Sequence, residues 1–227
     1  IKLYGDKAFR ATLREQIAAG SKLTGVVPSI GVYKTESESV RQYEGMTVGD
    51  LGEQRGVDAL DVLFDIAIED KLQTKFVIPR TNTNKERIPE LLRESERTLI
   101  GLSDAGAHVD MFCEAGYTTY LLGHWVREQK AMTLEHAVKR ITSEPADFLG
   151  MSDRGRLKEG LVADLVVFDA DKVGSPARGS LVHDLPAGGG RLYAKAEGIS
   201  NVIVNGTMLF ENGRHTGAFP GQVVRSH

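Results

Sequence analysis

The apolar positions of this chain follow helical and strand periods, and their character changes after Gly150. In residues 6–19, Phe9, Leu13 and Ile17 recur at every fourth position, one face of a helix that Asp6 can cap and Gly20 can stop. Residues 25–33 are apolar but broken by Pro28 and two glycines, which predicts a short strand or an irregular loop. Residues 43–47 read as a turn, after which Thr47 caps a short helix to about residue 54, closed by Gly56. The strongest helix signal covers 57–70: Leu60, Leu63, Phe64, Ala67 and Ile68 form one stripe, and Asp61, Asp65, Glu69 and Asp70 lie largely off it. Residues 75–79 predict a short buried strand and 85–96 a helix; a second buried strand begins at Thr98 and carries Leu99, Ile100 and Leu102. This alternation of helix and strand over 57–104 suggests a parallel sheet or barrel.

Helices are further predicted near 117–130, 134–142 (capped by Thr133) and 144–149. Beyond Gly150, residues 161–168 read as a strand rich in β-branched positions. Asn205-Gly206 between 202–204 and 207–210 predicts a type I′ hairpin, and Asn212-Gly213 a second turn. Residues 170–198 hold few periodic positions and read as a long excursion rather than a core element. A complete (β/α)8 barrel takes roughly 250 residues. The simplest account is an α/β chain made of the C-terminal part of a (β/α)8 barrel, residues 1–153, followed by a small β-sandwich, residues 154–227.

Composition narrows the setting. The 227 residues are 41% hydrophobic and 26% charged, ordinary for a soluble globular protein. A net charge of -3 without a Lys/Arg cluster argues against nucleic acid or an acidic membrane surface as partner. No apolar run approaches the roughly 18–20 residues of a membrane span. Cys113 is the only cysteine, so no intrachain disulfide is available and secretion gains no support; a cytoplasmic location is expected. The first residue is Ile1 and no signal-like segment follows, which predicts the tail of a longer chain or a removed start.

Candidate chemistry gathers at Ser103-Asp104, followed by Ala105-Gly106-Ala107 and His108. A small-residue loop after a strand lets backbone and ligand approach closely. An acid at the C-terminal end of a parallel strand sits where α/β folds place their chemistry. Alternatively, Asp104 only caps a turn. His108 can touch substrate or bond to backbone. Arg80 and Asn82 follow the strand predicted at 75–79, and would contact substrate or hold their own loop. Cys113 suffices as a small buried hydrophobe. His124 and Trp125 are expected to pack or face solvent, and His136 to lie on a helix surface near its cap. His183, Asp184 and Arg191 could reach back to a barrel mouth, though packing of the sandwich onto the barrel is the favoured reading. Asp164 looks structural, and Gly150, Gly160 and Gly206 are turn and cap positions with no phosphate loop nearby.

Several separated motifs resemble the amidohydrolase superfamily, and within it the N-acyl-D-amino-acid deacylases (D-aminoacylases), over residues 40–227. They are Ile100-Gly-Leu-Ser-Asp-Ala-Gly-Ala-His108, the run from Arg154 to Asp169, Val204-Asn-Gly206, Tyr117-Thr-Thr-Tyr-Leu-Leu122, Thr142-Ser-Glu-Pro-Ala146, His183-Asp-Leu-Pro186 and Thr216-Gly-Ala-Phe-Pro-Gly221. The resemblance implies a metal-bearing (β/α)8 barrel with a small β-sandwich built from both chain ends. It assigns Asp104 to the end of the eighth barrel strand, as the aspartate that binds zinc and exchanges a proton with the zinc-bound water. Zinc brings the pKa of bound water toward about 7, and a neighbouring carboxylate can carry the proton to the leaving amine.

The family's other ligands are a His-x-His pair, usually a bridging cysteine, and two further histidines from earlier strands. The six histidines here, at 108, 124, 136, 183, 215 and 227, form no His-x-His. A zinc site needs three or more protein ligands, so Asp104 alone cannot hold one. The isolated chain is therefore expected to be inactive. Its implied partners are a small-molecule N-acyl-D-amino acid and the N-terminal part of the same barrel. The alternatives are an amidohydrolase acting on cyclic amides, of the hydantoinase or dihydroorotase type, and a non-catalytic assembly module.

Overall fold

The computed structural model describes residues 1–20, 25–79, 83–84, 86–94, 96–101, 103, 105–109, 113, 115–177 and 179–224. They form two compact units, residues 1–83 and 84–227.

In the first unit, helix α1 (Lys7–Ala18) starts at Asp6, whose carboxylate accepts the Ala8 N–H at 2.8 Å. Its Phe9, Leu13 and Ile17 pack on the unit's core. Strands β1 (Gly31–Lys34) and β2 (Lys75–Val77) pair antiparallel, with Gly31 opposite Val77. The short helix α2 (Glu38–Arg41) follows β1. Helix α3 (Val48–Arg55) is bounded by Thr47, whose hydroxyl accepts the Asp50 N–H at 3.0 Å, and by Gly56 in the left-handed conformation. Helix α4 (Ala59–Glu69) is capped by Asp58.

The stripe expected on α4 is too narrow. Val62 and Ile66 lie outside it, yet they are 0% and 1% exposed. The cause is packing on several sides. Phe64 meets Tyr4 and Phe9, with ring centroids 4.9 and 6.1 Å away, while α2 and α3 also pack against α4. Asp61 and Asp65 are drawn into this packing by Arg10, at 3.2 and 2.7 Å. Pairs so near the surface contribute no more than about 1 kcal/mol each.

Asp70, one residue past α4, is buried. Its carboxylate accepts the backbone N–H groups of Glu36 at 3.1 Å and Ser37 at 2.6 Å, and the Thr74 hydroxyl at 2.6 Å. Burial alone would raise its carboxyl, but the Thr74 hydroxyl and the Ser37 and Glu36 amides outweigh that and hold it below the usual range. Three donors on one carboxylate tie the end of α4 to the start of α2.

The second unit contains helices α5 (Arg87–Arg93), α6 (Tyr117–Tyr120), α7 (Leu134–Ile141) and α8 (Ser143–Phe148). Helix α6 runs directly into a π-helix, Leu121–Glu128, where the turns of the expected 117–130 helix widen to hydrogen bonds spanning five residues. Strands β3 (Leu165–Phe168), β6 (Ile199–Val204), β7 (Thr207–Glu211) and β8 (Arg214–His215) form an antiparallel sheet in the order β3-β6-β7-β8. Asn205 and Asn212 take φ of 47° and 48°, followed by Gly206 and Gly213 at 74° and 75°. Both turns are thus of the primed kind, as expected for Asn205-Gly206. Strand β3 is shorter than predicted because Asp164 is occupied in holding the Asn205 turn.

Three expectations fail. Residues 98–101 form no strand, and Leu99 is 39% exposed. The Thr98 carbonyl is engaged by a side chain rather than by a ladder, as described below. All strand pairs among the described residues are antiparallel, not the parallel ones that alternation suggested, and β2 is only half-buried. Finally, the 170–198 excursion contains a hairpin, β4 (Ser180–Val182) with β5 (Arg191–Tyr193), and it supplies the fully buried Val173 to the unit's core beside Leu121, Leu122 and Ala137. Its burial comes from isolated anchor residues, which no periodicity reveals.

The π-helix and this excursion meet backbone to backbone. A Cβ on Gly123 would lie 2.8 Å from the Val173 carbonyl oxygen and 2.9 Å from Gly174 Cα. One turn later, the Arg127 guanidinium donates to the same Val173 carbonyl.

Two stability predictions follow from these contacts. Replacing Asp70→Ala strands the Glu36 and Ser37 amides and lowers stability by about 1–3 kcal/mol in urea unfolding. Because the folded carboxyl titrates below its unfolded value of about 3.9, its contribution is complete above that pH and is lost as pH falls through the lower folded value. Acid titration of Asp70→Ala should show a shallower loss there than the parent. Gly123→Ala forces backbone apart and costs about 1–3 kcal/mol in the same assay.

Candidate functional site

The stretch that leads to Asp104 is held from outside itself. The Thr98 carbonyl accepts from Arg140 Nη1 at 2.8 Å, and the Thr98 hydroxyl accepts from Arg140 Nη2 at 2.9 Å. That hydroxyl in turn faces the carbonyls of Leu91, at 3.1 Å, and Glu94 at the end of α5. Arg140 sits on α7 and is fully buried. Its Nε donates to the Leu92 carbonyl at 2.9 Å, and Nη1 also reaches Glu144 Oε2 on α8 at 2.6 Å. After the stretch, Gly106 and His108 take φ of 90° and 48°, so the chain turns sharply. The Val109 carbonyl then accepts the Leu192 N–H of β5 at 2.8 Å.

Of the predicted site residues, Asp104, Arg80 and Asn82 lie outside the described residues. His108 is described: it is exposed, in a left-handed backbone conformation uncommon away from glycine. The other candidates take packing or structural roles. The His124 ring stacks on Tyr120 at 4.8 Å, and its Nδ1 lies 2.9 Å from Glu128 Oε2. His136 Nε2 lies 3.2 Å from the Arg93 carbonyl oxygen. Cys113 is half-buried against Gly179, where an added Cβ would meet its Sγ at 3.0 Å.

Arg191 grips Asp184 with two bonds of 2.7 Å inside the hairpin, and its hydrogen bond holds the Asp184 carboxyl below the usual range. His183 Nδ1 lies 3.1 Å from the Gly188 carbonyl oxygen. Asp164 accepts the Asn205 N–H at 2.9 Å and pairs with Arg154 at 3.1 Å, the structural role expected of it.

A cavity of about 210 Å³ is lined by Cys113, Gly116, Tyr117, Tyr120 and residues 175–177. Burial and the Glu128 charge push the Tyr120 phenol up, so it stays neutral at physiological pH. Among the described residues, no group of three or more His, Cys, Asp or Glu could hold a metal ion. The described side chains therefore do not by themselves fit a zinc site.

Sequence reading passed over Arg140. Its signal was available: a cation in phase with Ala137 and Ile141 on the inward face of a predicted helix, with Glu144 four residues on.

Comparison with known proteins bears on this arrangement. An N-acyl-D-glutamate deacylase of Alcaligenes xylosoxydans xylosoxydans is 38% identical over 123 residues, 54% of this chain and 22% of the relative. A D-aminoacylase of the same organism is 35% identical over 104 residues, 46% of this chain and 19% of the relative. The chain thus spans about a fifth of the length of the curated relatives it matches. A crystal structure of N-acyl-D-glutamate deacylase from Bordetella bronchiseptica, complexed with zinc and a phosphonate inhibitor, aligns with 90% of this chain and 39% of its own, at 27% identity and a TM-score of 0.49. No helix among the described residues is long and apolar enough to cross a membrane. The model of the amidohydrolase family matches residues 3–210, nearly the whole sequence, and the chain belongs to that family.

Proposed function

We propose that this chain is the C-terminal portion of a zinc-dependent hydrolase that cleaves the amide of N-acyl-D-amino acids, giving a D-amino acid and a carboxylate. One observation carries the reading: the curated relatives at 34–38% identity are an N-acyl-D-glutamate deacylase, an N-acyl-D-aspartate deacylase and a D-aminoacylase. Family membership supports the hydrolytic class. In this reading residues 1–153 belong to a (β/α)8 barrel and 154–227 to the C-terminal half of a small β-sandwich. The strand-rich character of the chain after Gly150 supports that division.

Asp104 is the proposed catalytic residue and metal ligand, its carboxylate holding and passing on the proton that the leaving amine needs. His108, Arg80 and Asn82 are the proposed substrate contacts. The exposed position of His108, in the turn after Gly106, supports its part. The remaining zinc ligands and the N-terminal part of the barrel lie outside this sequence, so the 227-residue chain alone is proposed to be inactive.

In the full-length enzyme, Asp104→Asn should lower kcat by roughly 10²- to 10⁴-fold, the range of a positioned acid–base group. Steady-state kinetics on linear N-acyl-D-amino acids checks this, and undiminished turnover would exclude the role. Run against cyclic ureides in parallel, activity confined to the ring compounds would replace the deacylase reading by the cyclic-amidase one. Chelation should abolish turnover and added zinc restore it.

A further inference from the structure

An asparagine followed by glycine is prone to close on itself, because the glycine amide nitrogen has no side chain beside it and can reach the asparagine side-chain carbon. The chain has two such pairs, Asn205-Gly206 and Asn212-Gly213. Both sit in two-residue turns of one sheet with the same left-handed backbone, and both asparagines are exposed. Residue type and backbone shape therefore do not separate them. Their anchors do. The Asn205 carboxamide donates to the Pro220 carbonyl at 2.6 Å, and the Gly206 N–H donates to the Ala163 carbonyl at 3.0 Å. Both groups that would react are thus held. Among the described residues, no hydrogen bond holds the Asn212 carboxamide or the Gly213 N–H. The Asn212 N–H donates to the Ser200 carbonyl at 2.6 Å, but that bond leaves free the rotations about ψ and χ1 that bring the two groups together. Ring closure also requires the asparagine to leave its left-handed conformation, so the turn must open locally. Opening at Asn205 disturbs the four pairs between β6 and β7, inside the sheet; opening at Asn212 disturbs the two pairs of the edge strand β8. Past β8 the Thr216 hydroxyl donates to the Met208 carbonyl at 2.7 Å, so an opened turn stays attached.

We propose that Asn212 is a self-modification site, its carboxamide displaced by the Gly213 nitrogen, and that Asn205 is protected from the same reaction. The Gly213 nitrogen gives up its proton and attacks the Asn212 side-chain carbonyl carbon. The new C–N bond closes a succinimide, the bond to the side-chain nitrogen breaks, and ammonia leaves with the proton. Water then opens the ring, its hydroxyl joining one of the two carbonyl carbons and its hydrogen returning to the Gly213 nitrogen. Addition at the side-chain carbon gives aspartate, and addition at the main-chain carbon gives isoaspartate. Either product adds a negative charge beside Glu211. Isoaspartate also lengthens the turn by one backbone atom, which a two-residue hairpin cannot absorb without losing the β7–β8 register.

The test incubates the full-length protein at mildly alkaline pH in water enriched in heavy oxygen, folded and in denaturant, and follows both asparagines by peptide mass spectrometry. In the folded protein Asn212 should convert at least roughly tenfold faster than Asn205, where two hydrogen bonds worth about 1 kcal/mol each must break first. Each converted peptide should carry one heavy oxygen and separate into aspartyl and isoaspartyl forms. In denaturant the two rates should converge, since the residue pair is the same. Gly213→Ala crowds the attacking nitrogen and should suppress conversion at 212 while leaving 205 unchanged. The inference is overturned if Asn205 converts as fast as Asn212 in the folded protein, or if Asn212 stays intact there while it converts in denaturant. It is equally overturned if the preference persists unchanged in denaturant, or if Gly213→Ala leaves conversion at 212 as it was. If Gly213→Ala does not fold, the comparison of folded and denatured parent decides the matter.

Discussion

A charged group placed where water cannot follow must be met on every side by the protein, and among the described residues each unit of this chain has one such group. In the first unit it is Asp70, in the second Arg140, at 1% and 0% exposure. Their solutions differ. Asp70 meets only amide and hydroxyl donors, so its charge is balanced by dipoles at the start of α2 rather than by a cation. Arg140 meets one carboxylate and otherwise neutral oxygens. Removing a partner from either would leave an uncompensated buried charge, which is far more damaging than losing a surface pair. Neighbouring segments are thus committed to their places: the loop after β1 in one unit, and α5, α8 and the stretch before Asp104 in the other.

Local chemistry made much of this fold legible in the sequence. Asp6, Thr47 and Thr133 cap the helices they were expected to cap, because a side-chain oxygen within reach of an orphan N–H needs no tertiary partner. Asn205-Gly206 and Asn212-Gly213 turn as expected, because left-handed φ is written into those residue types. Features that depend on distant residues were not legible. Leu99 and Ile100 look like a strand, but a strand requires a neighbour to pair with, and Arg140 occupies the Thr98 carbonyl instead. The hairpin inside 170–198 has only a few anchors, Val173 and Leu192 among them. The π-helix places Gly123 against Val173, a contact across 50 residues of sequence.

The candidate site divides in the same way. The motif around Ser103-Asp104 draws attention by residue type alone. The hold that Arg140 has on Thr98, from a helix some 40 residues later, is written instead in three-dimensional contacts. His183, Asp184 and Arg191 show the converse. Their residue types suggest chemistry, yet Asp184 and Arg191 are absorbed in a pair that closes their own hairpin.

Strand β3 carries a consequence of another kind. It is one of the two edge strands of its sheet among the described residues, and its Val166 and Val167 are 55% and 50% exposed. Leu165-Val-Val-Phe168 is apolar, β-branched and free of charge along that border. An uncovered border of this kind is a template on which a further strand can grow. A lysine at Val166 or Val167 is the natural gatekeeper on such a border.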